Sequence, residues 1–192
     1  MTTELSNLPP SAIYVRDYVD GDAALQLLAT VDAAPWQSDL RRRVQHYGYR
    51  YDYTARRVTR DSYLGPLPGW LQDLADRLLA EEIFPSRPDQ VIVNEYLPGQ
   101  GIAPHIDCEP CFGDVVASLS LGSCCMMNFA HVRSGEKLAH YLEPAGLLVL
   151  KAESRFDWTH GIPARKSDKI GGAVAKRGRR VSLTFRTVIS TA

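Results

Sequence analysis

At 192 residues, with 45% hydrophobic and 23% charged residues and 22 basic against 22 acidic side chains, the chain reads as one globular domain able to build a sizeable core. No apolar run approaches the roughly 20 residues that cross a bilayer, and MTTELSNLPP lacks the basic and apolar regions of a secretory leader, so membrane and secreted classes are set aside and a cytoplasmic protein is expected. In that compartment Cys108, Cys111, Cys124 and Cys125 are expected as reduced thiols or ligands rather than disulfides.

In chain order, IYVRDYV (13–19) predicts a strand entry, and DGDAALQLLATV predicts an apolar-striped helix capped by Asp20 or Asp22. Residues 41–60 then gather Arg41, Arg42, Arg43, Arg50, Arg56, Arg57 and Arg60 against Asp52 alone. Within that stretch VQHYGYRYDY places Tyr47, Tyr49, Tyr51 and Tyr53 at every second residue, the period of a strand with one aromatic face that either packs on the core or stacks on bases. PGWLQDLADRLLAEE spaces Trp70, Leu71, Leu74, Leu78 and Leu79 as a second helix. From residue 90 short strand-like runs dominate: QVIVNEYL, DVVASLSLGS, CCMMNFAHV, KLAHYLE, GLLVLKA and RRVSLTFRTVI. The pattern predicts a mainly β (α+β) fold, a β-sandwich or jelly roll buttressed by the two early helices. A second basic segment, 164–186, holds Arg165, Lys166, Lys169, Lys176 and Arg177 against Asp168. The two segments are either solvated loops or a phosphate-binding surface.

GIAPHIDCEPC (101–111) concentrates metal-binding chemistry. On a strand, residues two apart project to one side, so His105 and Asp107 can face one ion. Of the remaining histidines, His46, His131, His140 and His160, the last lies in ESRFDWTHGIP, after GLLVLKA and before a turn, where a barrel mouth would present it. Two imidazoles and a carboxylate on one face, with open positions opposite, is the set that non-haem Fe(II) oxygenases use. CEPC with Cys124 and Cys125 offers a zinc or redox alternative. Adjacent strand residues point to opposite faces, however, and the βαβ context of a redox CxxC is missing.

In RVSLTFR the two-residue period puts Arg180, Ser182, Thr184 and Arg186 on one face and Val181, Leu183 and Phe185 on the other. Arginines turned inward demand anions, and a pair spread over roughly 20 Å of strand suits the two ends of a small dicarboxylate. An edge strand with arginines in water is the alternative.

NEYLPGQGIAPHID, SLSLGS, ESRFDWTHGI and KRGRRVSLTFR together resemble the AlkB family of Fe(II)- and 2-oxoglutarate-dependent dioxygenases, from about Ile13 to Val188. Within the family the motifs look closest to the catalytic domain of the tRNA wobble-uridine hydroxylase, whose further RNA-binding and methyltransferase domains this chain has no room for. The resemblance implies a double-stranded β-helix spanning about 90–188, preceded by an N-terminal extension, about 13–89, that carries a nucleotide-recognition lid. It implies His105, Asp107 and His160 as iron ligands and Asn94, Tyr96, Arg180, Ser182 and Arg186 as the 2-oxoglutarate pocket. Arg42, Arg43, Tyr47, Tyr49 and Tyr51 become candidate substrate contacts of the lid, with O2 as the second cosubstrate.

For the substrate two motifs disagree. Glu109 stands two residues after Asp107, where repair members often carry an acid facing an exocyclic amine, whereas Ser182 replaces the asparagine common in repair members, as in wobble-hydroxylase-like ones. The expectation is a monomeric enzyme that oxidatively dealkylates N-alkylated bases in single-stranded or flipped DNA or RNA, with Glu109 reading an amine. The alternatives are hydroxylation of a modified wobble uridine and a catalytically silent nucleic-acid-binding module.

Overall fold

The computed structural model describes residues 8–38 and 41–189, so most of the MTTELSNLPP stretch read for a leader lies outside the described residues. Strand β1 (Ile13–Val15) is followed by helix α1 (Gly21–Ala33), strand β2 (Val44–Tyr47) and helix α2 (Gly69–Ala80). Next come β3 (Gln90–Tyr96), β4 (Ile102–His105), β5 (Phe112–Gly122), β6 (Cys125–His131), β7 (Lys137–Leu142) and β8 (Leu147–Lys151). A one-turn helix α3 (Glu153–Phe156) leads into β9 (Trp158–Ile162), β10 (Ser167–Ile170), β11 (Ala173–Lys176) and β12 (Arg180–Val188). Six strands form a major antiparallel sheet in the order β1-β8-β5-β12-β3-β2, and four form a minor sheet, β4-β9-β6-β7. This is the jelly roll expected from the strand-rich second half. Among the described residues no helix is long and apolar enough to cross a membrane.

Alternation along β12 sorts the two faces of the major sheet. Val181, Leu183 and Phe185 join Val91 and Val93 of β3 in a core closed by Val31 of α1 and Leu71, Ala75 and Leu78 of α2. Each fully buried leucine there contributes about 1.5–3 kcal/mol. Asp20 caps α1, its Oδ1 accepting from Ala23 N at 2.7 Å, and the buried Gln45 side chain finishes that helix by donating to Val31 O and Ala34 O. The opposite face of β12 turns toward the minor sheet.

The structure corrects three expectations. The strand foreseen over 13–19 stops at Val15, because Asp17 takes a left-handed turn. The tyrosine strand stops at Tyr47, because Gly48 adopts φ +76 with the Asp89 carbonyl so close that a Cβ would lie 1.8 Å from its oxygen. Beyond it the chain folds on itself: Tyr49 bridges Tyr63, Asp52 bridges Arg57, and Asp52 Oδ1 accepts from Thr54 N and Ala55 N. The third concerns the thiols. Cys108 and Cys111 are joined as a disulfide, while Cys124 and Cys125 are free. Backbone N–H groups of Cys111 and Phe112 both bond to Cys108 O, a turn that brings the two cysteine Cα atoms to 5.2 Å, within bonding reach.

Candidate active site

Strands β4 and β9 pair with His105 directly opposite His160, their ring centroids 4.5 Å apart. The ladder is irregular between Ile102 and His105, and the chain leaves the sheet in time for Asp107 to turn back beside both rings. His105 Nδ1 lies 2.8 Å from Ala103 O, so it donates there and leaves Nε2 for a ligand. His160 Nε2 is 3.5 Å from Asp107 Oδ2, and one ligand atom from each of the three residues lies within 4.8 Å of the others.

Charge around the cluster favours the metal-ready forms. Burial would raise the Asp107 carboxyl, but the Arg186 guanidinium, the two imidazoles and Arg155 outweigh it and hold the group well below the usual carboxylate range. Burial pushes His160 down to about 4, more than the pull of Asp107 restores, so its imidazole is neutral near pH 7. A buried carboxylate beside two imidazoles is the donor set of a facial triad.

A cavity of about 590 Å³ opens beside these residues between the two sheets. Its major-sheet wall carries Asn94 and Tyr96 of β3 and Arg180, Ser182, Thr184 and Arg186 of β12, so the arginines face inward and not water. Across the ladder Ser182 lies opposite Asn94 and Arg180 opposite Tyr96. Arg186 Nη2 donates to Asp107 Oδ1 at 2.5 Å. Arg180, 2% exposed, donates through Nη2 to Ser120 Oγ at 2.8 Å, while the buried Nε atoms of both arginines have no partner. A guanidinium buried with a hydroxyl and the Tyr96 ring beside it but no carboxylate calls for an anion, and a dicarboxylate whose far end reaches Arg180 fits.

At the open end Arg41, Arg42, Arg56, Tyr51 and Tyr53 line the cavity. Arg42 donates through Nε to Asn94 Oδ1 at 2.9 Å and lies over the rings of Tyr53 and Tyr96. Arg41 and Tyr53 bound the segment that the resemblance marks as the lid, whereas Arg56 lies beyond it and was missing from the predicted contacts, although it belongs to the basic segment.

Four predicted contacts lie elsewhere. Arg43 forks onto the buried Glu95 carboxylate at 2.6 and 2.7 Å, which Arg179 also binds, so its charge is spent inside the fold. Tyr47 packs edge-on against Trp70 in the helix-side core. Tyr49, past the Gly48 turn, stacks on Tyr63. Glu109 is exposed in the turn after Asp107 and is absent from the cavity lining. Its charge is felt by Arg155 instead. Glu109→Gln is therefore expected to change the ratio of turnover on amine-bearing and carbonyl-bearing bases by less than about twofold, measured by mass spectrometry on mixed oligonucleotides.

Sequence reasoning missed Arg155 altogether. It is 2% exposed in α3 and donates through Nη1 to the Asp107 main-chain oxygen at 3.0 Å, so α3 and the metal-binding turn are held by one buried cation. Only the run SRF before WTH marks it, and that run has no period to read. Arg155→Met is expected to weaken metal binding by about 10–100-fold, the usual cost of losing an outer partner, and a cobalt(II) titration would reveal it. Unchanged affinity would make the contact merely structural.

The family described as the 2OG-Fe(II) oxygenase superfamily matches residues 25–186. The chain belongs to it. More narrowly, it is an oxygenase of the AlkB family. It is 37% identical to the uncharacterized protein L905 of Acanthamoeba polyphaga mimivirus over 91% of this chain and 83% of that protein. It is 38% identical to the alkylated DNA repair protein ALKBH8 homolog of Arabidopsis thaliana, over 93% of this chain and 58% of the relative. With the tRNA (carboxymethyluridine(34)-5-O)-methyltransferase ALKBH8 of Macaca fascicularis it shares 36% identity over 96% of this chain, which spans only 31% of that relative. The solved structure of OsALKBH1 shares the fold, with a TM-score of 0.73 at 18% identity over 94% of this chain and 98% of that one.

As an AlkB-family dioxygenase the protein uses Fe(II) and 2-oxoglutarate, which when bound would let O2 convert a C–H bond into an alcohol while 2-oxoglutarate is oxidised to succinate and CO2. In this chain His105, Asp107 and His160 would hold the metal, and Arg180 would receive the distal carboxylate of 2-oxoglutarate. Tyr96 and Asn94 would orient the cosubstrate between them.

Proposed function

We propose that the enzyme hydroxylates a side-chain carbon on a modified uracil base in RNA, in preference to dealkylating adenine or cytosine. The observation that carries this is the hydrogen-bonding character of the cavity. Among the described residues Asp107 is the only carboxylate that lines it, and Arg186 already binds it. The open end offers three arginines and two tyrosines, and the Asn94 carbonyl is taken by Arg42.

A uracil ring presents carbonyl oxygens, which such donors satisfy; adenine and cytosine present an exocyclic amine, which finds no free acid among the described lining residues. Burying that amine unpaired costs about 1–3 kcal/mol, a discrimination of roughly tenfold to a hundredfold. Oxygen atoms on a C5 substituent would find the same donors, in keeping with a relative named for carboxymethyluridine in tRNA. The base must be flipped out or already single-stranded to enter. With Glu109 in solvent, the dealkylation reading loses the residue on which it leaned.

The test offers the enzyme, with Fe(II) and 2-oxoglutarate, RNA hairpins carrying 5-carboxymethyluridine or its methyl ester beside strands of RNA and DNA carrying 1-methyladenine or 3-methylcytosine. The expected product is the uridine with one oxygen gained. Dealkylated adenine or cytosine beside untouched uridine would reverse the assignment and restore the repair reading.

A further inference from the structure

Between the metal-bearing strand β9 and the arginine-bearing strand β12 the chain makes an excursion that neither sheet absorbs: β10 and β11 pair only with each other. An isolated two-stranded ribbon is marginal in water, so something must anchor it. Asp168, 2% exposed, is the anchor. Its carboxylate takes a two-point bond from Arg177 at 2.6 and 2.8 Å, a further bond from Arg165 at 2.7 Å and the Met126 N–H at 3.1 Å.

The ladder fixes what the anchored ribbon presents. Ser167 lies opposite Lys176 and Lys169 opposite Val174, so these four share one face, while Asp168 and Ala175 share the other. With Asp168 turned into the body, Lys169, Val174 and Lys176 stand exposed, Val174 at 65%. No ion pair to either lysine is found among the described residues. The outward face of the ribbon thus carries cations and an apolar side chain and no acid.

The ribbon also adjoins the cavity rim. Gly99 N donates to Arg165 O at the ribbon's base, and the next residue, Gln100, donates through Nε2 to the carbonyl of the cavity-lining Arg41. One short turn therefore joins the basic ribbon to the basic lid.

We propose that the β10–β11 ribbon is a second nucleic-acid contact, binding the backbone of the strand beyond the nucleotide held in the cavity. This rests on the proposed nucleic-acid substrate but not on which base is oxidised. Lys169 and Lys176 pair with phosphates, and Val174 packs against a sugar or base. Four residues of strand give the ribbon a reach of roughly 13 Å, so it serves only strands that extend past the target.

The test measures binding of unmodified single-stranded RNA, which needs no turnover, to the intact protein and to Lys169→Gln/Lys176→Gln. For a strand of about 20 nucleotides the double variant should bind about tenfold or more weakly, and the log–log salt slope should flatten by about 1.4, from two lost phosphate contacts. For a strand of about 4 nucleotides, too short to leave the cavity, the change should stay below about twofold. Lys169→Arg/Lys176→Arg should restore the long-strand affinity. Equal losses on both lengths, no loss on either, or the same loss from Lys137→Gln on the far edge strand β7 would overturn the proposal. If length-dependent binding is as expected but uridine is not oxidised, the ribbon stands and the substrate reading falls.

Discussion

Asp107→Ala should lose metal and stability together. The side chain is one of three ligand donors, so metal affinity and succinate formation should fall by more than the about 100-fold that outer partners cost. The same change leaves the Arg186 guanidinium, which Asp107 now neutralises, buried without a carboxylate. Removing one partner of a buried pair costs about 3–5 kcal/mol, so the melting transition of the metal-free protein should drop as well. Asp107→Asn keeps the shape and an acceptor oxygen, and should recover part of the stability but none of the metal. An alanine variant that still retains one metal per chain would remove Asp107 from the site.

Arg180→Met should show the opposite pairing of effects. In the absence of an anion this guanidinium is a buried charge facing a serine hydroxyl, so exchange for an apolar side chain of similar length should leave the metal-free protein as stable or more so. The 2-oxoglutarate requirement should rise by far more than tenfold, because truncating a buried charge pair costs about 2–5 kcal/mol. Titrating 2-oxoglutarate against succinate release, alongside thermal melts without cosubstrate, reads both. A variant with an unchanged requirement would put the distal carboxylate elsewhere, and one that simply unfolds would make Arg180 structural. The contrast matters: one substitution strips an anion from cations, the other strips a cation that has no anion.

What the chain disclosed in advance followed from period two. Arg180 with Ser182 and Arg186 were legible because a strand repeats its facing every second residue and because charges on such a face are too costly to leave idle, whereas His105 meets Asp107 although β4 ends at His105, the carboxylate turning back beside the rings after the strand has stopped. The same rule misled at Tyr47 and Tyr49, since it assumes an unbroken strand and Gly48 turns the chain there. Arg43 shows a second limit. Its neighbour Arg42 reaches the cavity while it serves Glu95, and nothing local separates two adjacent arginines whose partners lie far along the chain. Glu109 failed for a related reason: two residues after a ligand is one strand period only if the strand continues, and here it has already become a turn. Arg155 and the ribbon of β10 and β11 left no trace of period at all, because their places depend on Asp107 and Asp168, met only in three dimensions.

The two flanking strands of the major sheet, β1 and β2, both come from the first quarter of the chain, yet Ile13 pairs with Val149 and Tyr47 with Val91. During synthesis β1 has no mate until β8 has been made, and until then the future sheet has bare margins open to other chains. Contacts this distant in sequence put refolding in about the millisecond-to-second range typical of β-rich topologies, rather than the microseconds of helical bundles. Strands β1 and β2, three and four residues long, therefore act as a short selvedge on the sheet and leave little bare edge to which a neighbour could stick.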